Sequence, residues 1–339
     1  MAVTAFGTLS DIDTLHAQAL AVYSLYLSRQ GNFVEAIRNA EQSLQMARAL
    51  SDKKTEAFSL MFHGVAVLVQ GSVAESTPLL EQSLALYRVL GDKIGQAATM
   101  EALSINSVNL ERSAAFARES LKLYRELGHL SGIATCLTRL ARLILWSGDF
   151  SSPVPWLNEA LSLSHQLGDQ TSEEEALVLS GTLAYWQGDY QRAEATCEEA
   201  SQLSEKIGDH YQNLWGHIWS AYAILRQGDI RQARALFEDS LRRALQADVT
   251  ITVVFALEGL ASLMVRQEQH DRAARLFAWT DAMRDEIGNH RPPIEQASVE
   301  RDLAIVHSQL DDAAFEQAHH TGRSMSMEQA VAHALEEKA

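Results

Sequence analysis

A short turn returns five times along the chain, and its spacing leaves few folds open. It reads Gln30-Gly31-Asn32-Phe33, Gln70-Gly71-Ser72-Val73, Ser147-Gly148-Asp149-Phe150, Gln187-Gly188-Asp189-Tyr190 and Gln227-Gly228-Asp229-Ile230. A degraded copy stands at Gln267-Glu268-Gln269-His270. Gly31 and Gly71 are 40 residues apart, as are Gly148, Gly188 and Gly228 in turn. A second punctuation alternates with the first: Leu50-Ser51-Asp52, Leu90-Gly91-Asp92, Leu127-Gly128-His129, Leu167-Gly168-Asp169, Ile207-Gly208-Asp209 and Ile287-Gly288-Asn289. A fixed period in this range marks a solenoid of stacked units.

The chemistry of the turns says what each unit is. A glycine just past a helix can take the left-handed conformation that closes it. An Asp or Asn beside it can cap the free amides of the next helix. Each Gly-Asp is therefore a stop followed by a start, and two per period give two antiparallel helices. Between the turns, apolar residues recur at spacings of three and four, as in Leu137, Leu140, Ala141, Ile144 and Leu145. Small residues stand seven before each turn position (Ser24, Gly64, Ala141, Gly181, Ala221, Ala261), where two helices must approach closely. Alanines recur five after it, at Ala36, Ala193, Ala233 and Ala273. One hairpin cannot bury its apolar face alone, so the repeats must stack. The expected fold is all-α: a right-handed α-solenoid of about seven hairpins.

Composition narrows the function. The formal charge is -16, spread along the chain, so direct nucleic-acid binding gains little from counterion release. No apolar run is long enough for a membrane span, and Met1 to Leu9 lacks the pattern of a signal peptide. Cys136 and Cys197, each inside a helical pattern, fit a reducing, cytoplasmic setting without a disulfide framework.

The spacing of small residue, turn, alanine and large apolar residue resembles the tetratricopeptide repeat. Ala221, Gly228, Ala233 and Phe237 carry it in the sixth repeat; Ala261, Glu268, Ala273 and Phe277 in the seventh; Gly181, Gly188, Ala193 and Cys197 in the fifth. The period is longer than the usual 34 or so residues, and the proline that commonly ends the second helix is missing. Prolines fall instead early in second helices, at Pro78, Pro153 and Pro155. The third repeat is irregular: Leu90 to Leu127 spans 37 residues, and Asn106-Ser107-Val108-Asn109 replaces the Gly-Asp turn. Its first helix is expected about one turn short, through either a tolerated deletion or a kink that shapes the binding surface.

The ends differ from the middle. Residues 1–290 read as the repeat array and 291–339 as a helical cap. In the cap, Pro292-Pro293 opens a helix to about Gln309, Ala313 to His320 forms a short one broken by Gly322, and Ser326 to Gln329 has capping-box spacing for a last helix from Glu328 to about Glu337. Phe6-Gly7-Thr8-Leu9-Ser10-Asp11 looks like the end of a preceding repeat, which would make the chain part of a longer protein. Arg272 to Ala278, Arg284 to Gly288, Pro292-Pro293 and Gly322 to Ala330 resemble the C-terminal ends of bacterial multidomain signalling ATPases and of LuxR- or AfsR-type transcriptional regulators. That resemblance implies a sensor array that binds an effector or partner and restrains an upstream ATPase.

No phosphate loop, HExxH, CxxC or Gly-x-Ser-x-Gly occurs. His319-His320 has no evident third ligand, and the Glu runs at Glu173-Glu174-Glu175 and Glu198-Glu199 read most simply as solvated helix faces. The sequence thus offers no catalytic residues, metal site or cofactor. The tetratricopeptide resemblance implies that first helices line a concave groove. Counting back from each turn position puts Trp146, Trp186, Arg226 and Arg266 in one column there, with Arg142, Thr182 and Tyr222 a turn earlier and Glu175 and Trp215 beyond. Tyr185 flanks them. Trp156, Trp219 and Trp279 read instead as packing. The candidate groove residues are Arg142, Trp146, Tyr185, Trp186, Trp215, Tyr222 and Arg226. Large rigid aromatics and Arg are the residue types that dominate binding surfaces, although the same residues could serve only in packing between repeats. The expected partner is a protein, a peptide or a small-molecule effector, in a sensor module or, alternatively, a free-standing adaptor.

Overall fold

A computed structural model describes residues 9–105 and 109–336, and these contain helices and no strand. Seven hairpins follow in chain order. They are α1 (Leu9–Arg29) with α2 (Phe33–Ala49), α3 (Lys53–Gln70) with α4 (Val73–Leu90), α5 (Lys93–Leu103) with α6 (Leu110–Leu127), and α7 (Leu130–Trp146) with α8 (Pro153–Leu167). Then come α9 (Gln170–Trp186) with α10 (Tyr190–Ile207), α11 (His210–Gln227) with α12 (Ile230–Gln246), and α13 (Thr250–Arg266) with α14 (His270–Ile287). Three more helices complete the chain: α15 (Pro293–Gln309), α16 (Asp312–Arg323) and α17 (Met327–Leu335). From α1 to α16 each helix packs on its neighbour in sequence, each first helix also packs on the first helix after it, and α16 and α17 both pack on α14. This is a tetratricopeptide-like α-solenoid.

The turns work as the sequence requires. All ten turn glycines take a positive φ, and Asp92, Asp169, Asp189, Asp209 and Asp229 accept hydrogen bonds from backbone amides of the helices they open. Where glycine is missing the conformation persists: Ser51, Asp248 and Glu268 have φ of 57°, 56° and 58°. Asp248 marks a helix break that the glycine pattern did not reveal. Close approach is equally specific. A Cβ on Gly181 would sit 2.4 Å from Cys197 Sγ, which explains the small residue seven before the turn. A recurring serine adds a polar tie between helices. Ser43, Ser83 and Ser120 donate to the carbonyls of Ala17, Ala57 and Ala97 at 2.6–2.7 Å.

Several expectations need correction. α5 has 11 residues against 17 in α7, a shortening nearer two turns than one; Asn106 to Val108 lie outside the described residues. Pro78 lies well inside α4, past the amides that need no helical partner. Gly322 does not break its helix but lies within α16, where a Cβ would meet the Arg275 carbonyl oxygen at 2.2 Å. It is needed for close packing on α14. Leu9 to Asp11, expected in a turn, are helical in α1, and Phe6 to Thr8 lie outside the described residues.

The superhelix meets itself after one turn. Arg29 Nη1 donates to Thr171 Oγ1 at 2.8 Å and lies 3.8 Å from Asp209 Oδ2. The Gln30 amide donates to the Gly208 carbonyl. Phe33 sets its ring edge-on to Tyr211 at 6.2 Å. Gln70 reaches Asp248 with the same offset of 178 residues that separates Gln30 from Gly208. One superhelical turn thus takes about four and a half 40-residue repeats, and the first helices of successive hairpins enclose a central channel.

Candidate functional site

The channel is a cavity of about 610 Å³, within the size range of ligand sites. Residues from α1, α3, α5, α7, α9, α11 and α13, with their adjoining turns, form almost all of its wall. One wall is apolar, built from Met61, Phe62, Val65, Leu68 and Val69 of α3 with Ala98, Ala102 and Ile105. Another part of the wall is aromatic, built from Trp146, Tyr211, Trp215, Trp219 and Phe255. The rings touch edge to face: Trp215 meets Phe255 at 4.9 Å and Tyr211 at 6.3 Å, a geometry that suits the ring quadrupole. Asn289, Pro292 and Glu295 enter the lining at the point where the chain passes into α15.

A row of charges crosses the channel. Arg139 Nη2 lies 3.0 Å from Glu175 Oε2, and Arg139 Nε lies 4.0 Å from Glu101 Oε1. Burial pushes the Glu101 carboxyl up to about 7, against the pull of Arg139. Burial also raises Glu175, but Arg139, Arg142 and Arg29 together outweigh it and hold this carboxyl below its ordinary value. Burial, helped by the charge of Arg139, lowers the Arg142 guanidinium to about 10. Arg142 makes no hydrogen bond or ion pair among the described residues.

The candidate residues divide into two groups. Arg142, Trp146 and Trp215 line the channel. Tyr185, Trp186, Tyr222 and Arg226 do not. Tyr185 is buried, Tyr222 Oη donates to the Phe255 carbonyl at 3.1 Å, and Trp186 stands edge-on to Tyr185. Arg226 donates to Tyr185 Oη at 3.1 Å and to Ser298 Oγ at 3.3 Å. Ser298 belongs to α15, and Ser262 of α13 is bonded to Asp302 of the same helix at 2.5 Å. α15 thus lies against Arg226 of α11 and Ser262 of α13, and it reaches across to α7. Arg139 and Tyr211 were missed from the sequence. Trp219, read as packing, is largely buried yet borders the cavity. A signal was available: Arg139, Leu179 and Trp219 each stand nine before a turn glycine, a column the count from the turns skipped.

Beside the channel, Glu174 is fully buried next to Asp209, the residue that ties α11 to Arg29. Burial first, then the Asp209 charge, pushes Glu174 up to about 9; burial raises Asp209 as well. The folded chain therefore keeps a proton here that the unfolded chain, with Glu174 at its ordinary 4.5, has already released. The native state binds more protons than the unfolded one in this window, so stability falls as pH rises from about 5 through about 9. Thermal melts at pH 6, 7.5 and 9 should show a declining midpoint, and Glu174→Gln should flatten that decline. A slope unchanged in Glu174→Gln would remove the pair as its cause.

Among the described residues no group of three or more His, Cys, Asp or Glu is placed to hold a metal ion, and no helix is long and apolar enough to cross a membrane. A helical repeat array around one mixed apolar and charged channel defines a tetratricopeptide-like repeat domain. No protein-family model matches the sequence, and no curated protein matches it. Solved structures do match the fold. One is a Rap protein complexed with Competence and Sporulation Factor, 9% identical, with a TM-score of 0.64 over 95% of this chain and 99% of that one. Another is NprR in complex with its cognate peptide NprX, 14% identical, with a TM-score of 0.55 over 74% of each chain. A third is a signal-transduction ATPase with numerous domains and a tetratricopeptide-repeat sensor, from Pyrococcus horikoshii. It is 12% identical with a TM-score of 0.50, and the match covers 85% of this chain but 47% of that protein.

Proposed function

We propose that this chain is a non-enzymatic binding domain whose central channel holds a peptide or a peptide segment of a protein. We further propose that it serves as the sensor or interaction module of a larger bacterial signalling or transcription regulator. The observation that carries the reading is the channel itself. First helices of all seven hairpins converge on one cavity, and its wall combines aromatic faces with an unpaired guanidinium. Those residue types bind well because they offer rigid area and a polar handle at once. The Rap and NprR structures that share the fold are themselves peptide or factor complexes, and the Pyrococcus horikoshii match carries its repeats as a sensor. A solenoid suits sensing, because each repeat touches mainly its neighbours and small rotations add along the array.

Native mass spectrometry of the chain equilibrated with a random hexapeptide pool tests this. The chain should retain peptides, and Trp215→Ala should lower retention at least about tenfold, a typical loss for a hot-spot aromatic. Its helicity should stay unchanged. Peptide retention equal in Trp215→Ala and the native chain would exclude the channel as the site.

A further inference from the structure

We propose that the channel selects ligands bearing a single carboxylate on an apolar body, with Arg142 as the anchor for that carboxylate. The inference rests on the channel being the binding site and goes further by naming what it takes.

The argument comes from pairing. Every other charged residue of the lining has a partner within the protein. Arg139 sits between Glu101 and Glu175. Arg29 is held by Thr171 and Asp209. Asp169 accepts from Ser131 and from Ser172, and Glu295 lies 3.6 Å from Arg284. Among the described residues of the lining, Arg142 alone is left over. Its nearest claim on a carboxylate, Glu175, is already engaged by Arg139. A guanidinium drawn out of bulk water with no ion pair or hydrogen bond of its own is costly. Arg142 also stands three residues from Arg139 on the same helix, where like charges repel. A bound carboxylate removes both costs and is the natural bidentate partner of a guanidinium.

The surroundings limit the rest of the ligand. Glu101 and Glu175 line the same channel, and Arg139 and Arg29 are already engaged within the protein, so a second negative charge on the ligand would meet carboxylates without a free cation to offset them. That disfavours phosphates and other multiply charged anions. Trp146, one turn along α7 from Arg142, begins the aromatic wall, and Phe62 and Val65 of α3 add apolar surface to the same channel. These surfaces have no polar demand that the ligand must meet, so an apolar body fits them. Two sources share this chemistry: the C-terminus of an apolar peptide, and a small apolar acid.

Calorimetric titration separates these sources and tests the anchor. Three probes are used: a hexapeptide pool ending in leucine with a free carboxylate, the same pool with a C-terminal carboxamide, and octanoate. The native chain should bind the acid pool at least about tenfold more tightly than the amide pool, as expected for loss of a charge-assisted hydrogen bond. Arg142→Gln should bring the acid pool down to the amide level and leave the amide pool unchanged, with circular dichroism unaltered. Octanoate that displaces the acid pool assigns the anchor to small acids; octanoate that does not assigns it to peptide termini. Equal binding of acid and amide pools, or equal loss of both in Arg142→Gln, would overturn the carboxylate proposal while leaving the channel as a binding site. Absence of binding by all three probes would overturn the channel reading along with it.

Discussion

Glu258→Ala should destabilise the C-terminal end of the array by about 3–5 kcal/mol, the cost of removing one partner from a buried ion network. Glu258 is almost wholly buried on α13. It accepts from Arg284 at 2.7 and 3.0 Å and from Arg291 at 3.0 and 2.6 Å. Burial alone would raise its carboxyl, but the two arginines outweigh burial and keep it below its ordinary value. Arg284 also lies over the Phe255 ring, 4.6 Å from its centre, so the network touches the channel wall directly. Without Glu258, Arg284 keeps the neutral Asn289 and, as its one anionic partner among the described residues, Glu295 at 3.6 Å, a carboxyl that burial pushes up to about 7. Arg291 keeps only Asp281 as an anionic partner. Two guanidiniums would then share weak compensation in the segment that leads into α15. Urea unfolding followed by circular dichroism should show the loss in the first transition. The exposed pair Arg112–Glu81 is the comparison: Glu81→Ala should cost about 0–1 kcal/mol, as surface pairs do. Similar losses in both variants would mean that burial of the Glu258 network contributes nothing.

Phe237→Ala should cost about 3–5 kcal/mol, the range for truncating a buried aromatic. Phe237 is fully buried on α12 and meets Tyr222 edge to face at 5.0 Å. Its fit depends on Gly259, where a Cβ would lie 2.2 Å from the ring. Gly259→Ala alone should therefore cost about 1–3 kcal/mol through overpacking. In the Phe237→Ala background the added methyl enters the space the ring has left. The pair should then lose less than the sum of the singles, with a coupling of roughly 0.5–3 kcal/mol. Additive losses would show that the ring does not require the glycine.

Much of this fold is written locally. Gly148, Gly188 and Gly228 state the period, and Asp189 and Asp229 state where helices restart. The break at Asp248 escaped because no glycine marks it; an Asp takes the left-handed conformation there instead, one of the few other residues that can. The channel was half legible. Columns counted from the turns found Arg142, Trp146 and Trp215, because helical spacing fixes which residues share a face. The same columns gave Tyr222, which packs on Phe237 and bonds the Phe255 carbonyl, and Arg226, which α15 covers. That covering depends on the path of the chain after Gly288, and no periodicity encodes it. Nor does any local pattern specify the closure of Arg29 and Gln30 onto Thr171, Gly208 and Asp209. It arises from small rotations summed over several repeats. Arg139 pairs with Glu101 and Glu175 from two other hairpins, so its role is visible only once they are stacked.

Hydrogen–deuterium exchange, with and without a saturating hexapeptide ligand, tests most directly whether the inner surface is where binding occurs. The expected result is protection concentrated in α7, α9 and α11, whose residues line the channel, with little change in α8, α10 and α12 outside it. Protection confined to those outer helices, with α7, α9 and α11 unchanged, would contradict it.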